Sequence, residues 1–261
     1  MPQFVTSRDG TRIAFDRLGQ GPTLIVVGGL FCEREKMHPL AEAFAARFGV
    51  INYDRRGRGE SSDSDAYAVG REIEDLGALI EEAGGSALVY GHSSGAGLAL
   101  EAASSGLPID ALILHEPPYG GDDIESQDSA RQLAEQVRTA VERGDGEGAI
   151  STFFEAMGLP DDMVRDFAAD PNMRAVAHTM PYDFEVMGEF TGGGIPAARA
   201  QSINCPTLVL AGGASPDFFK ETAERLASLI PGARLETIEG QGHEAPPEAV
   251  APHVLSWLQR I

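Results

Sequence analysis

Gly91-His92-Ser93-Ser94-Gly95 follows the apolar run Ala87-Leu88-Val89-Tyr90 and precedes an Ala/Leu-rich stretch from Ala96 to Ala103. A strand, a tight turn centred on one serine and a helix make a nucleophile elbow. The glycines remove Cβ atoms where strand and helix crowd the serine, and the strained turn lifts its hydroxyl clear of the sheet. With 31 glycines in 261 residues, chance supplies about 0.2 matches to the pattern, so the flanking strand and helix give the match its weight. Ser93 is thereby offered as a nucleophile for acyl transfer. A serine hydroxyl attacks poorly until a base accepts its proton, so a histidine is needed on a loop that reaches the elbow. His243, in Gly240-Gln241-Gly242-His243-Glu244, lies after the β-rich run 233–239 and before a closing helical pattern from Glu248 to Arg260. The other histidines fit less well: His92 is inside the elbow, His38 and His253 lie on helical patterns, and His178 sits in a long helical stretch.

The elements that must position these residues alternate. Residues 3–17 read as an antiparallel hairpin joined through Asp9-Gly10, a pair suited to the positive φ of a tight turn. Short β-rich runs follow at 23–28, 49–54, 86–91, 110–116, 206–212 and 233–239. Helical patterns at Ala41–Phe48, Arg71–Ala83, Gly95–Ala103 and Phe218–Leu229 separate most of them. Buried strands alternating with amphipathic helices predict an α/β fold with a mostly parallel sheet, helices on both faces, and ligands at the carboxyl ends of the strands. Residues 117–200 break the alternation, with helical patterns at Ser129–Arg143, Ile150–Met157, Asp161–Ala169 and Met173–Phe190. The organisation expected is a core domain of residues 1–116 and 201–261 with a helical cap, 117–200, inserted after one strand. The cap segment holds five of the seven methionines, Met157, Met163, Met173, Met180 and Met187. Most should form the cap's own core, with some facing an apolar substrate cavity.

At 43% hydrophobic residues the chain can bury a full core. A formal net charge of −20 opposes nucleic acid and anionic lipid as partners. No basic segment followed by an apolar one opens the chain, and its apolar runs are of strand length, so a cytoplasmic location is expected. Cys32 and Cys205 have neither the number for a disulfide framework nor the spacing for zinc. No cofactor or metal is expected.

Four motifs together carry a resemblance that covers essentially the whole chain: Gly28-Gly29-Leu30, Asp54-Arg55-Arg56-Gly57-Arg58-Gly59-Glu60-Ser61, Gly91 to Gly95, and Gly240 to His243. The chain resembles the α/β-hydrolase fold superfamily, in the form of a small cofactor-free serine hydrolase with a helical cap. The resemblance implies acyl transfer through an acyl-serine, with Ser93 as nucleophile and His243 as base. It also implies an oxyanion hole from the backbone N–H groups of Leu30 and Ser94. Gly28 stands where the family usually has a histidine, a side chain that often braces the loop, so a less rigid loop is expected. Asp54 and Arg56 read as structural ties. The triad acid is ambiguous, because the position the family usually uses, after the run ending Gly212-Gly213, holds Ser215. Asp217 follows Pro216 and is equally placed to cap the helix beginning at Phe218. Glu116 ends the run Ala111–Glu116, a location some family members use, and Pro117 is expected to keep it extended. Glu116 is favoured over Asp217, with a dyad as the remaining alternative.

Serine at the elbow argues against dehalogenase or epoxide hydrolase chemistry, which places a carboxylate there. The leading reading is hydrolysis of a small, largely apolar ester or lactone. A cofactor-free perhydrolase would use the same triad. From a different class, a ligand-binding or non-hydrolytic biosynthetic protein would leave the triad idle.

Overall fold

The structure, a computed structural model, describes residues 2–64 and 66–261. Eight strands form one sheet in the order β1-β2-β4-β3-β5-β6-β7-β8. They are β1 (Gln3–Thr6), β2 (Arg12–Leu18), β3 (Thr23–Val27), β4 (Gly49–Tyr53), β5 (Ala87–His92), β6 (Ile109–His115), β7 (Thr207–Gly212) and β8 (Arg234–Ile238). β1 and β2 pair antiparallel, and β2 runs antiparallel to β4. From β4 through β8 all pairings are parallel. The hairpin turn works as its sequence suggests: Gly10 has φ of +92° and Asp9 Oδ1 accepts the Thr11 N–H at 3.0 Å.

The strands are apolar on both faces because helices cover both. Ile25 and Val27 of β3 join one core, with Leu76 of α2 (Val69–Glu82) and Leu98 of α3 (Ser94–Ser104). Leu24 and Val26 point the other way, to Phe44 of α1 (Arg34–Ala45) and Trp257 of the C-terminal helix Pro247–Leu258. A one-residue slip would exchange these sets, and each fully buried aliphatic side chain contributes about 1.5–3 kcal/mol, so the register is strongly specified.

Between β6 and β7 the chain makes α4 (Ile124–Glu142), α5 (Gly146–Ala156), α6 (Asp161–Ala169), α7 (Pro171–Val176), α8 (Met180–Val186) and α9 (Ala197–Ser202). The single helix expected over Met173–Phe190 is broken into α7, a 3₁₀ turn, α8 and a second 3₁₀ turn. Pro181 cannot supply the N–H that a continuous helix needs, and sits instead in the first turn of α8; Gly188, with φ of +70°, ends that helix. The insertion has its own core of Val137, Ile150, Met180 and Phe184 among others, and Leu30 and Phe31 pack against it. The closing pair are α10 (Asp217–Leu229) and α11 (Pro247–Leu258). Among the described residues, no helix is long and apolar enough to cross a membrane.

Candidate active site

β3 is flanked by β4 on one side and β5 on the other, so the connections switch direction between β3 and β5 and leave a crevice at their carboxyl ends. The loop after β3 carries Gly28-Gly29-Leu30, and the turn after β5 carries Ser93. Ser93 has φ of +57° and ψ of −129° at the N-terminus of α3. This geometry requires the glycines on either side. A Cβ on Gly91 would lie 2.6 Å from Ala96 Cα, and one on Gly95 would lie 2.7 Å from the Gly28 carbonyl oxygen. The Ser93 N–H donates to the His115 carbonyl at 2.9 Å, tying the elbow to the end of β6.

Glu116 follows β6, and its fully buried carboxylate accepts from His243 Nδ1 at 2.7 Å and from the Gly212 N–H at 2.6 Å. Burial alone would raise this carboxyl. The hydrogen bonds from His243 and Gly212, with the Ser215 hydroxyl nearby, outweigh it and hold the group below the usual carboxylate range. An ionised carboxylate only accepts, so Nδ1 carries the proton and Nε2 is left as the basic nitrogen. The imidazole lies between the Phe219 ring, stacked at 4.5 Å, and the His92 ring at 4.7 Å. His92 Nε2 donates to the His243 carbonyl at 3.0 Å. Burial, and then the adjoining His243, push His92 down to about 4. Ser93 Oγ and His243 are not joined by a hydrogen bond here, a contact that commonly tightens only with substrate bound.

Two expectations for this region are corrected. Glu116 is not extended but has φ of +49°, because its N–H bonds to Leu210 while both carboxylate oxygens are engaged, and these fixed points override the preference set by Pro117. Asp217 is the first residue of α10 and makes no side-chain cap; its exposed carboxylate meets Lys220 at 3.3 Å, away from His243. Ser215, at the family's usual acid position, is buried beside the Glu116 carboxylate and helps hold it ionised, although among the described residues its hydroxyl makes no hydrogen bond of good geometry.

On the opposite side, Gly29 presses on the elbow: a Cβ there would lie 2.7 Å from Ser93 Cβ. Among the described residues, no backbone carbonyl accepts from the N–H groups of Leu30 and Ser94. No side chain fits at Gly28, where a Cβ would stand 2.7 Å from Cys32 Cβ and 3.2 Å from Met37 Cγ. Where the family's bracing histidine is missing, two buried arginines meet the loop's carbonyls. Arg58 Nη1 donates to the Gly29 carbonyl at 2.7 Å, and Arg55 Nη1 approaches the Gly28 carbonyl at 3.4 Å. Asp183, from α8, pairs with Arg58, accepts from Arg55 at 2.5 Å and accepts the Ser94 hydroxyl at 2.6 Å. Burial would raise the Asp183 carboxyl, but Arg55 and Arg58 hold it below its ordinary value. Phe31 keeps φ of +58° with its ring stacked on Phe154 at 5.9 Å. Cys32 turns instead into the core beneath α1. Arg55 and Arg58 stand in the sequence only as members of the Asp54–Ser61 motif, without a role of their own, and Asp183 carries no sequence signal. Asp54 and Arg56 are structural: Asp54 accepts the Arg34 N–H at 2.7 Å, and Arg56 pairs with Asp75 at 2.7 Å and Asp9 at 3.0 Å. Of the insertion's methionines, Met180 and Met187 are buried, while Met157 and Met163 are exposed at its surface.

Comparison with known proteins agrees with this architecture. The alpha/beta hydrolase family model matches residues 23–253. An alpha/beta hydrolase from Sphaerobacter thermophilus is 47% identical, with a TM-score of 0.88 over 98% of this chain and 100% of that one. A hydrolase from Pseudomonas aeruginosa is 25% identical, with a TM-score of 0.77 over 98% of each chain. The polyketide synthase ThaQ of Burkholderia thailandensis is 30% identical over 95% of this chain, which spans 12% of that synthase's length. With the sheet order, the elbow and the whole-length match in agreement, this chain belongs to the alpha/beta hydrolase family.

Proposed function

We propose that the protein is a serine-dependent hydrolase acting on a small, largely apolar ester or lactone. Ser93 Oγ attacks the acyl carbon as His243 Nε2 takes its proton, and Glu116 holds the imidazole and stabilises the imidazolium. Negative charge developing on the former carbonyl oxygen is met by the N–H groups of Leu30 and Ser94. Collapse of this intermediate expels the alkoxide, which takes the proton from His243, and leaves an acyl-serine. Water, activated in turn by His243, attacks the acyl-serine and releases the acid.

One observation carries this reading: His243 Nδ1 bonds a buried, ionised carboxylate 127 residues away, and the imidazole so oriented packs on the residue preceding Ser93. Orientation by a carboxylate is what a base, rather than a surface histidine, requires. Preference for apolar groups is supported by Phe31, which follows the Leu30 donor and packs against Phe153 and Phe154 of the insertion. The test is a panel of p-nitrophenyl esters of increasing acyl length alongside lactones and amides, with fluorophosphonate labelling of the wild type. Rapid labelling lost in Ser93→Ala is expected. A folded wild-type protein that is inert to the fluorophosphonate would favour the ligand-binding alternative.

A further inference from the structure

The Gly28-Gly29-Leu30 loop has a weakness that its sequence creates. Two consecutive glycines place few steric limits on rotation of the peptide plane that follows them. The proposed donor, the Leu30 N–H, belongs to the Gly29–Leu30 peptide, and in a trans peptide the N–H points opposite to the carbonyl. Fixing the Gly29 carbonyl therefore fixes the Leu30 N–H, and a flip of that plane would remove the donor from the site.

That carbonyl has two partners, the Cys32 N–H at 3.1 Å within the loop and Arg58 Nη1 at 2.7 Å. Arg58 is fully buried, and the helical insertion fixes two further faces of its guanidinium. Nε donates to Thr179 Oγ1 at 3.0 Å and Nη2 pairs with Asp183. The same Asp183 accepts the hydroxyl of Ser94, whose backbone N–H is the other proposed donor. A single carboxylate of the insertion thus holds, directly or through Arg58, the two residues whose backbones would receive the oxyanion.

We infer that Asp183 and Arg58 are positioning residues of the oxyanion hole, so that seating of the insertion on the elbow sets the direction of both N–H donors. Neither touches substrate. They act through the Gly29–Leu30 peptide and through Ser94, and the inference rests on the serine-hydrolase reading above. Their loss should weaken interactions made in the transition state and leave ground-state binding nearly unchanged.

The experiment compares Arg58→Gln, Arg58→Lys, Asp183→Asn, Ser94→Ala and Thr179→Val with wild type. It uses a p-nitrophenyl ester found to be a substrate and a trifluoromethyl ketone of matching chain length as a transition-state mimic. Arg58→Gln and Asp183→Asn should lower kcat by about 10- to 100-fold and weaken ketone binding in proportion, with KM within about twofold. Arg58→Lys keeps the charge and one donor, so it should recover part of the loss. Ser94→Ala keeps the backbone N–H and Thr179→Val keeps the shape, so both should fold even where a variant in the buried ion pairs does not. Each should still reduce kcat and ketone affinity together, by about 3- to 10-fold. Variants that melt earlier but retain wild-type kcat and ketone affinity, Ser94→Ala and Thr179→Val included, would reduce this network to a structural one and overturn the inference. A wild-type enzyme that reacts with fluorophosphonate in that same experiment leaves the serine mechanism standing, whereas an inert one removes both.

Discussion

The Glu116–His243 pair is held by groups that all stand at the carboxyl edge of the sheet or on its closing helices: Gly212 at the end of β7 donates to Glu116, while His92 at the end of β5 and Phe219 on α10 pack on His243. The Gly28–Leu30 loop, a few ångströms away across Ser93, is held by a different part of the chain. Its carbonyls meet Arg55 and Arg58, which share the carboxylate of Asp183 in the insertion, although Arg55 also pairs with Glu72 of α2, and Phe31 rests on the insertion's aromatic side chains. One side is thus assembled by strands that must pair for the protein to fold at all. The other depends on the docking of a separately cored helical segment. On the proposed mechanism, proton transfer is then built into the scaffold, while charge stabilisation and substrate contact fall where the chain can vary without disturbing the sheet.

Removing the proposed nucleophile between the two sides, or its base, gives the largest expected effect. Ser93→Ala and His243→Ala should each reduce ester hydrolysis by about 10⁴-fold or more, and the double variant by little beyond either, because nucleophile and base act as a unit. Steady-state kinetics with circular dichroism to verify folding measures this. Substantial activity left in Ser93→Ala would end the serine mechanism. The next variant separates the two sides. Glu116→Gln should cost about 10²- to 10⁴-fold in kcat by spoiling the imidazole's tautomer and orientation. Asp217→Asn should cost less than about tenfold, since its exposed carboxylate meets only Lys220 among the described residues. If the two outcomes were reversed, the acid would be misassigned.

A smaller effect probes the insertion side. An ester bearing a carboxylate would approach a protein of net charge −20 and lose hydration against Leu30, Phe31 and the insertion's aromatic side chains. Its kcat/KM should fall at least about tenfold below that of a neutral ester of similar size. Equal values for the two would mean that a cationic group, not an apolar surface, receives the substrate.

What could be read from the residues follows the same division. The order of strands and helices was legible because alternation of apolar runs and amphipathic stretches has a fixed period, and the elbow because its glycines are sterically required at Gly91 and Gly95. Glu116 was readable as a strand-end carboxylate. Its positive φ was not, since three long-range hydrogen bonds impose it against the local preference of a residue before proline. Asp183 was invisible for a related reason: its partner Arg55 lies 128 residues earlier, and nothing in the periodicity of α8 marks one carboxylate as inward-facing and paired. The unbroken helix expected over Met173–Phe190 is different. Pro181 and Gly188 both stand in this stretch, and the missing N–H of the one and the positive φ of the other break a pattern whose apolar spacing alone is helical.

The smallest effect tests the sheet-borne side through its titration. His92 is buried between His243 and His115, with ring centroids 4.7 Å and 4.9 Å away, and is pushed from 6.5 to about 4 by burial and then by His243. Its folded value lies below its unfolded value, so between the two the unfolded chain takes up a proton that the folded protein refuses. The stability this gives is complete above 6.5 and is lost as pH falls toward 4. At about pH 5 the loss from this one group is about 2 kcal/mol, which corresponds to about 4–8 °C in Tm for a domain of this size. His115 is also depressed by burial and Glu116 is held below its usual range, so acid lowers stability through them as well, and a pH scan of the wild type alone would not isolate His92. His92→Gln does: the amide can still donate to the His243 carbonyl, but it does not titrate, while His115 and Glu116 remain. Thermal melts of both proteins at about pH 8 and about pH 5 should therefore show a smaller acid-induced drop in the variant. Equal drops would show that His92 is not held neutral by its surroundings, and that the carboxyl edge of the sheet is more open to water than the Glu116 side of the site requires.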